Sequence, residues 1–210
     1  MIKLLFGTVV AAVAMFLAGF LYFAGPIATL GYAPAGEQQS AMLQEALKAN
    51  LPATGTYVIP NNATQTGTIL YGNGPVATVQ YNSSGFPLDS ADGMIWGFVL
   101  YLVAAALMAG ALSQLDRRVP DFKSRAVIVV CFALAGSALT ILTDPIFLHT
   151  DWTFAIFSFV GSVFIFSVGG LTLARWFLPK AAELTPASVV QKVEEVRSGE
   201  EIPPVDSARL

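Results

Sequence analysis

Charged residues are scarce in this 210-residue chain: they make up 12 % of it, against about 25 % in soluble globular proteins. Apolar residues reach 55 %, and the mean hydropathy is +0.64. A net charge of −3 and the lack of a basic stripe give no reason to expect a nucleic-acid partner. The composition therefore predicts a membrane protein that does not bind nucleic acid.

Cysteine and histidine occur once each, as Cys131 and His149. A single thiol cannot form a disulfide within the chain, which excludes internal dithiol exchange. A single histidine excludes haem ligation by two histidines. The sequence also contains no nucleophile elbow, glycine-rich phosphate loop or zinc-ligand spacing. We predict no cofactor and no catalytic residue, and we favour a non-enzymatic protein while leaving an enzyme open.

Long apolar runs, in contrast, are abundant. A helix needs about 20 apolar residues to cross a hydrocarbon core of about 30 Å, and four runs approach or exceed that length. They contain no charged residue before Arg175, near the end of the last run. The predicted fold class is an all-α four-helix transmembrane bundle with a small α+β insertion between the first two helices. The predicted divisions are transmembrane helices at 1–24, 93–115, 126–143 and 153–178, an outer domain at 25–92, a cytoplasmic loop at 116–125, an outer turn at 144–152 and a partly disordered tail at 179–210.

The first run also fits a second interpretation, a cleaved signal peptide, because Lys3 precedes it. The apolar core of a signal peptide is about 7–15 residues long, which is shorter than this run. We therefore favour an anchor that stays in the membrane.

The outer domain shows weaker patterns. Apolar residues at helical spacing predict an amphipathic helix over residues 37–50, and the β-branched and aromatic content of residues 55–60 predicts a short strand. Residues 66–71 and 76–81 flank an Asn-Gly turn, which predicts a hairpin. With few large apolar side chains in about 68 residues, we expect a small core that relies on the membrane surface or on a partner.

Basic residues predict the orientation. The polar turn between the second and third runs carries four of them, listed here as Arg117, Arg118, Lys123 and Arg125, whereas the outer domain has only Lys48. Cytoplasmic loops of membrane proteins are enriched in Lys and Arg. We therefore predict that both termini and this loop are cytoplasmic.

Small residues recur at spacings of three and four in the first and last runs, which places them on one helix face. Such faces permit close packing of transmembrane helices. The predicted packing residues are Gly7, Ala11, Ala14, Ala18, Ser158, Ser162, Gly170 and Ala174.

Acidic residues collect at the predicted outer end of the spans. Asp144, His149 and Asp151 could supply one nitrogen and several oxygens to a divalent metal ion, and Asp89 and Asp92 lie before the second run. The alternative interpretation is that these residues merely end helices where the chain meets water.

The run Leu51-Pro-Ala-Thr-Gly-Thr-Tyr-Val-Ile-Pro60 follows a predicted helix and an anchor, and three spans come after it. This Leu-Pro-x-x-Gly-x-Tyr-x-x-Pro pattern resembles an uncharacterised group of bacterial inner-membrane proteins, mainly over residues 1–115. The resemblance implies a bacterial inner-membrane protein whose outer domain faces the periplasm, and it implies no activity.

These observations favour an integral inner-membrane interaction or scaffold protein, as an accessory subunit of a larger complex, with the lipid bilayer and a protein partner or a second copy as its neighbours. The alternative is an enzyme or metal-binding protein at the periplasmic membrane interface. A third possibility is a passive channel or a lipid-handling protein.

Overall fold

The computed structural model describes residues 2–87, 90–115 and 118–178. It contains four helical segments that are long and apolar enough to cross a membrane: Ile2–Phe23, Asp92–Leu115, Phe122–Phe147 and Trp152–Phe177. A small two-stranded sheet lies between the first two of them. The fold is thus mostly helical, with the four long apolar helices that the sequence predicts.

The helical elements have the following bounds: α1 Ile2–Phe23, a 3-10 turn Pro26–Leu30, α2 Glu37–Asn50, α3 Gln65–Asn73, α4 Asp92–Leu115, α5 Phe122–Ile141, α6 Thr143–Phe147, α7 Trp152–Thr172 and a π-helical turn Leu173–Phe177. The strands are β1 Gly55–Ile59 and β2 Ala77–Tyr81. We call α1, α4, α5 with α6, and α7 with its π-helical turn the bundle, and residues 24–91 the insertion.

The four long helices do not all pack against one another. α1 packs against both α4 and α7, and α7 packs against α5. α4 and α5 make no comparable contact in the described part of the chain. The spatial order is therefore α4–α1–α7–α5, which leaves a gap between the two outer helices.

The core of the bundle is built from small residues and a few long apolar ones. Ala11, Ala12 and Ala105 are fully buried, as are the larger Met15 and Leu173. Small side chains let helix backbones approach closely, which is the main way that helices gain packing contacts inside a membrane. The outward surfaces remain apolar, with Leu107 72 % exposed and Phe132 76 % exposed.

Aromatic contacts fix which helix ends meet. The rings of Phe6 and Phe177 lie 6.0 Å apart, whereas the Tyr22 ring stacks on Phe157 at 4.8 Å. The Tyr22 hydroxyl also donates to the Phe157 carbonyl oxygen at 3.0 Å. α1 and α7 therefore run antiparallel. We call the end that holds Phe6 the loop end and the end that holds Tyr22 the insertion end.

The insertion differs from its predicted form in one element. α2 covers residues 37–50 and β1 covers residues 55–59, close to the predicted ranges. The predicted hairpin of residues 66–71 and 76–81 is wrong, because residues 65–73 form α3 and β2 pairs antiparallel with β1. Thr64 caps α3, since its Oγ1 accepts the Gly67 N–H at 3.0 Å, and a capped first turn favours helix over strand.

The third long helix begins before, and ends beyond, its predicted limits. Asp121 caps it, so that the helix starts at Phe122 rather than at residue 126. After a break at Leu142, α6 continues the helical path to Phe147. Pro145 lies in the first turn of α6, where proline is tolerated because its missing N–H would have no helical partner. The predicted loop and outer turn are correspondingly shorter, and the predicted tail at 179–210 lies outside the described residues.

Candidate functional site

The predicted packing residues lie mostly inside the bundle. Gly7, Ala11 and Ala18 are buried and Ala14 is partly buried; Gly170 and Ala174 are buried, and Ser158 and Ser162 are partly buried. A Cβ added at Gly7 would overlap the Phe177 ring. A Cβ at Gly170 would overlap the Val129 side chain of α5. Gly7 and Gly170 therefore pack against other helices of the same chain, whereas Ser162 lines a groove described below.

The predicted orientation residues separate into two groups. Arg118 and Lys123 are exposed at the loop end, and Arg117 lies outside the described residues. Arg125 is buried, with 2 % of its surface exposed, and its Nε donates to the Val119 carbonyl oxygen at 2.6 Å. Arg125 therefore holds the loop against the first turn of α5, a role that its position in a basic cluster does not predict.

Asp121 shapes the same turn. Its Oδ1 accepts the backbone N–H of Ser124 at 2.8 Å, and its side chain is exposed. This hydrogen bond, with a smaller contribution from the nearby Arg125 charge, lowers the pKa of Asp121 below its ordinary value. The carboxylate is therefore charged at neutral pH and engaged with its own helix start.

The predicted metal residues are not brought together. Asp144 lies in the first turn of α6, His149 is exposed with a φ of 53°, and the Asp151 Oδ2 accepts the Phe154 N–H at 2.8 Å as the cap of α7. Among the described residues, no group of three His, Cys, Asp or Glu side chains could hold a metal ion. Of the two further acidic residues, Asp92 begins α4 and Asp89 lies outside the described part. The geometry therefore does not support a metal site here.

The surface of the insertion is the first feature with the character of a binding site. In its described residues, 24–87 and 90–91, the only buried positions are Gly31 and Gly67, so that no side chain is buried. Every residue of α2 is exposed except the partly buried Leu47. Met42 is 66 % exposed and Leu43 is 61 % exposed, although both belong to the apolar face of α2. That face has no extensive contact with any other described element.

A groove between α4 and α5 is the second such feature, and we call it the α4/α5 groove. It has a volume of about 500 Å³, and α7 contributes part of its wall. No charged residue lines it; its walls are made by Met108, Ala111, Leu112, Leu115, Ile128, Val129, Phe132, Ala133, Gly136, Ser137, Thr140, Ser162 and Phe166. The Ser137 Oγ is buried and has no hydrogen-bond partner in the part of the chain that the structure describes.

A second cavity, of about 580 Å³, lies at the loop end beside the first two turns of α5, and we call it the loop-end pocket. Its lining combines the charged Arg118, Asp121 and Lys123 with apolar side chains, and Ile128 is at the edge of both this pocket and the α4/α5 groove. Sequence reasoning missed both cavities. The spacing of Ala133, Gly136 and Thr140 marks a small-residue face on α5, but only the separation of α4 from α5 turns that face into a groove.

Comparison of the chain with known protein families, with curated proteins and with solved structures gives no match. The candidate sites therefore depend on the geometry described above.

Proposed function

We propose that this protein is an integral bacterial inner-membrane interaction protein, whose insertion binds a partner protein in the periplasm as part of a larger complex. Both termini and the loop between α4 and α5 would then be cytoplasmic. Among the described residues, Lys3, Arg118, Lys123 and Arg175 belong to the loop end, against Lys48 alone in the insertion, and the bias of basic residues toward the cytoplasm supports this orientation.

The observation that carries the proposal is an insertion without a buried side chain. A two-stranded sheet is marginally stable by itself in water, and β1 and β2 form only such a sheet. Exposed apolar side chains on α2 and α3 include Met42, Leu43 and Ile69. Apolar surface of this kind marks interaction sites, and covering it would supply the burial that the insertion does not achieve alone.

The charge of α2 favours a protein over the membrane surface as the covering partner. Helices that lie on membranes carry Lys and Arg on their polar face, whereas α2 carries Glu37 and Glu45 against Lys48. An anionic bilayer would therefore repel this face rather than attract it.

The test compares two substitutions that add the same charge to opposite sides of α2. Met42→Glu places a carboxylate on the apolar face, and Gln44→Glu places one on the polar face. Each protein is solubilised from native membranes in a mild detergent, and its native mass and bound peptides are identified. We expect a stoichiometric protein with the wild type and with Gln44→Glu that is lost from Met42→Glu.

Two results would contradict this function. One is a partner that Met42→Glu retains as well as Gln44→Glu does. The other is protection of a cysteine placed at Leu43, in a Cys131→Ser background, from a water-soluble thiol reagent in vesicles of purified protein, because α2 would then lie on the bilayer.

A further inference from the structure

We infer that the loop-end pocket binds the phosphate of an anionic phospholipid in the bilayer that surrounds the bundle. The direction in which the pocket opens, its level along the bundle and the charge of its lining all fit this ligand. The pocket and the insertion lie at opposite ends of the bundle, so that the inference is independent of the function proposed above.

The pocket opens on the outward side of α5. Its wall on this helix consists of residues three or four positions apart, which share one helix face: Lys123, Ser124, Val127 and Ile128. The face of α5 that packs against α7 carries the buried Ala133 and Ser137 and points the other way. The pocket therefore faces away from the other helices, in the direction where lipid would surround a membrane-embedded bundle.

The level of the pocket matches that of lipid phosphates. Trp176 is 63 % exposed, and tryptophan is enriched where a transmembrane helix meets the membrane–water interface. The neighbouring Arg175 lies over the Phe122 ring, 5.7 Å from its centroid, so that Trp176 is level with the first residue of α5. Lys123 comes next, and Val127 lies one helical turn deeper and is 55 % exposed. The pocket thus spans the boundary between head groups and hydrocarbon.

The charges of the pocket fit an anion. Arg118 and Lys123 are exposed, and Asp121 is the one carboxylate among the described lining residues. Asp121 is engaged as the cap of α5, because it accepts the Ser124 N–H at 2.8 Å. The pocket therefore keeps a net positive charge, and basic pockets at the ends of transmembrane helices bind anionic lipid head groups.

The apolar part of the lining favours a lipid phosphate over a free phosphate ion. Val119, Val127 and Ile128 lie beside the charged residues. A hydrated ion gains nothing from apolar surface, whereas the glycerol and first methylene groups of a lipid would cover it. The volume of about 580 Å³ is within the range of small-molecule pockets, about 300–1,000 Å³.

The experiment titrates the purified protein with phosphatidylglycerol or phosphatidylcholine and counts bound lipids in native mass spectra. The wild type should bind phosphatidylglycerol in preference to phosphatidylcholine. Each basic residue near a membrane surface contributes about 1 kcal/mol to anionic lipid binding, so that Arg118→Gln with Lys123→Gln should weaken phosphatidylglycerol binding about 30-fold. A matched control removes two exposed charges at the same end but outside the pocket, with Lys3→Gln and Arg175→Gln, and should bind as the wild type does.

A third variant should bind more tightly, which a misfolded protein would not do. Asparagine caps helices about as well as aspartate, so that Asp121→Asn keeps the start of α5 and removes the one negative charge of the described lining. Phosphatidylglycerol binding should then strengthen about 5-fold.

Four results would overturn the inference. They are equal binding of both lipids by the wild type, an equal loss from the two double variants, and no gain from Asp121→Asn. The fourth is displacement of phosphatidylglycerol by millimolar inorganic phosphate at constant ionic strength, because the pocket would then be a site for free phosphate.

Discussion

Met15 and Leu173 are enclosed on all sides in the bundle, whereas the only buried residues of the described insertion are two glycines. The bundle satisfies its backbone hydrogen bonds within each helix, and it gains contacts through small residues that let helices approach. The insertion forms its backbone hydrogen bonds within α2 and α3 and between β1 and β2, and no side chain of its described residues is buried. The bundle therefore has a core of buried side chains, and the described insertion has none.

The largest expected effect is loss of packing in the bundle core. Leu173→Ala removes a side chain that is 0 % exposed and should lower the free energy of unfolding by about 2–5 kcal/mol. Leu107→Ala makes the same chemical change at a position that is 72 % exposed, and it should stay within about 0.5 kcal/mol of the wild type. Reversible unfolding in mixed detergent micelles measures both values, and equal losses would show that the core is not where the structure puts it.

A smaller effect is expected where a side chain is added between helices. Gly7→Leu must displace the Phe177 ring, and such overpacking costs about 1–3 kcal/mol. Gly110→Leu is the matched control, because nothing lies within 4 Å of a Cβ added there. The same unfolding measurement should show a loss for Gly7→Leu and none for Gly110→Leu. If both variants unfold like the wild type, the close approach of α1 to the π-helical turn is wrong.

The smallest effect is expected in the insertion, and it tests the comparison directly. Ile69 is 61 % exposed, so Ile69→Ser should change the free energy of unfolding of the purified protein by no more than about 0.5 kcal/mol. Ile165 is 5 % exposed in the bundle, and Ile165→Ser should cost at least about 2 kcal/mol. A large loss for Ile69→Ser in the purified protein would mean that the insertion has a core of its own.

The hairpin predicted for residues 66–71 and 76–81 is wrong because the prediction used local composition alone. Residues 66–71 have the composition of a strand, and an Asn-Gly turn follows them. The cap at Thr64 instead starts α3. β2 pairs with β1, which precedes that helix in the sequence. Short segments carry weak preferences, so the cap and the pairing available elsewhere in the chain decide the outcome.

Arg125 shows a second limit. A charge count treats it like Arg118 and Lys123, yet it is buried and donates to the Val119 carbonyl oxygen. Its environment depends on how the loop folds back on α5, which residue type alone does not specify. Closeness in sequence can also mislead. Asp144, His149 and Asp151 are near one another in sequence but form no metal-binding group in the described chain.

Sequence patterns alone are enough to predict the four long apolar helices and the amphipathic α2. Length and apolar composition suffice to predict the four long helices, because a segment in hydrocarbon must form its backbone hydrogen bonds internally. The repeat of apolar residues suffices to predict α2. Tertiary contacts, in contrast, are needed to define the order α4–α1–α7–α5, the groove that this order leaves open and the pairing of β1 with β2. These features depend on contacts between distant parts of the chain. They follow from which helix faces and strands pack together rather than from local sequence preferences.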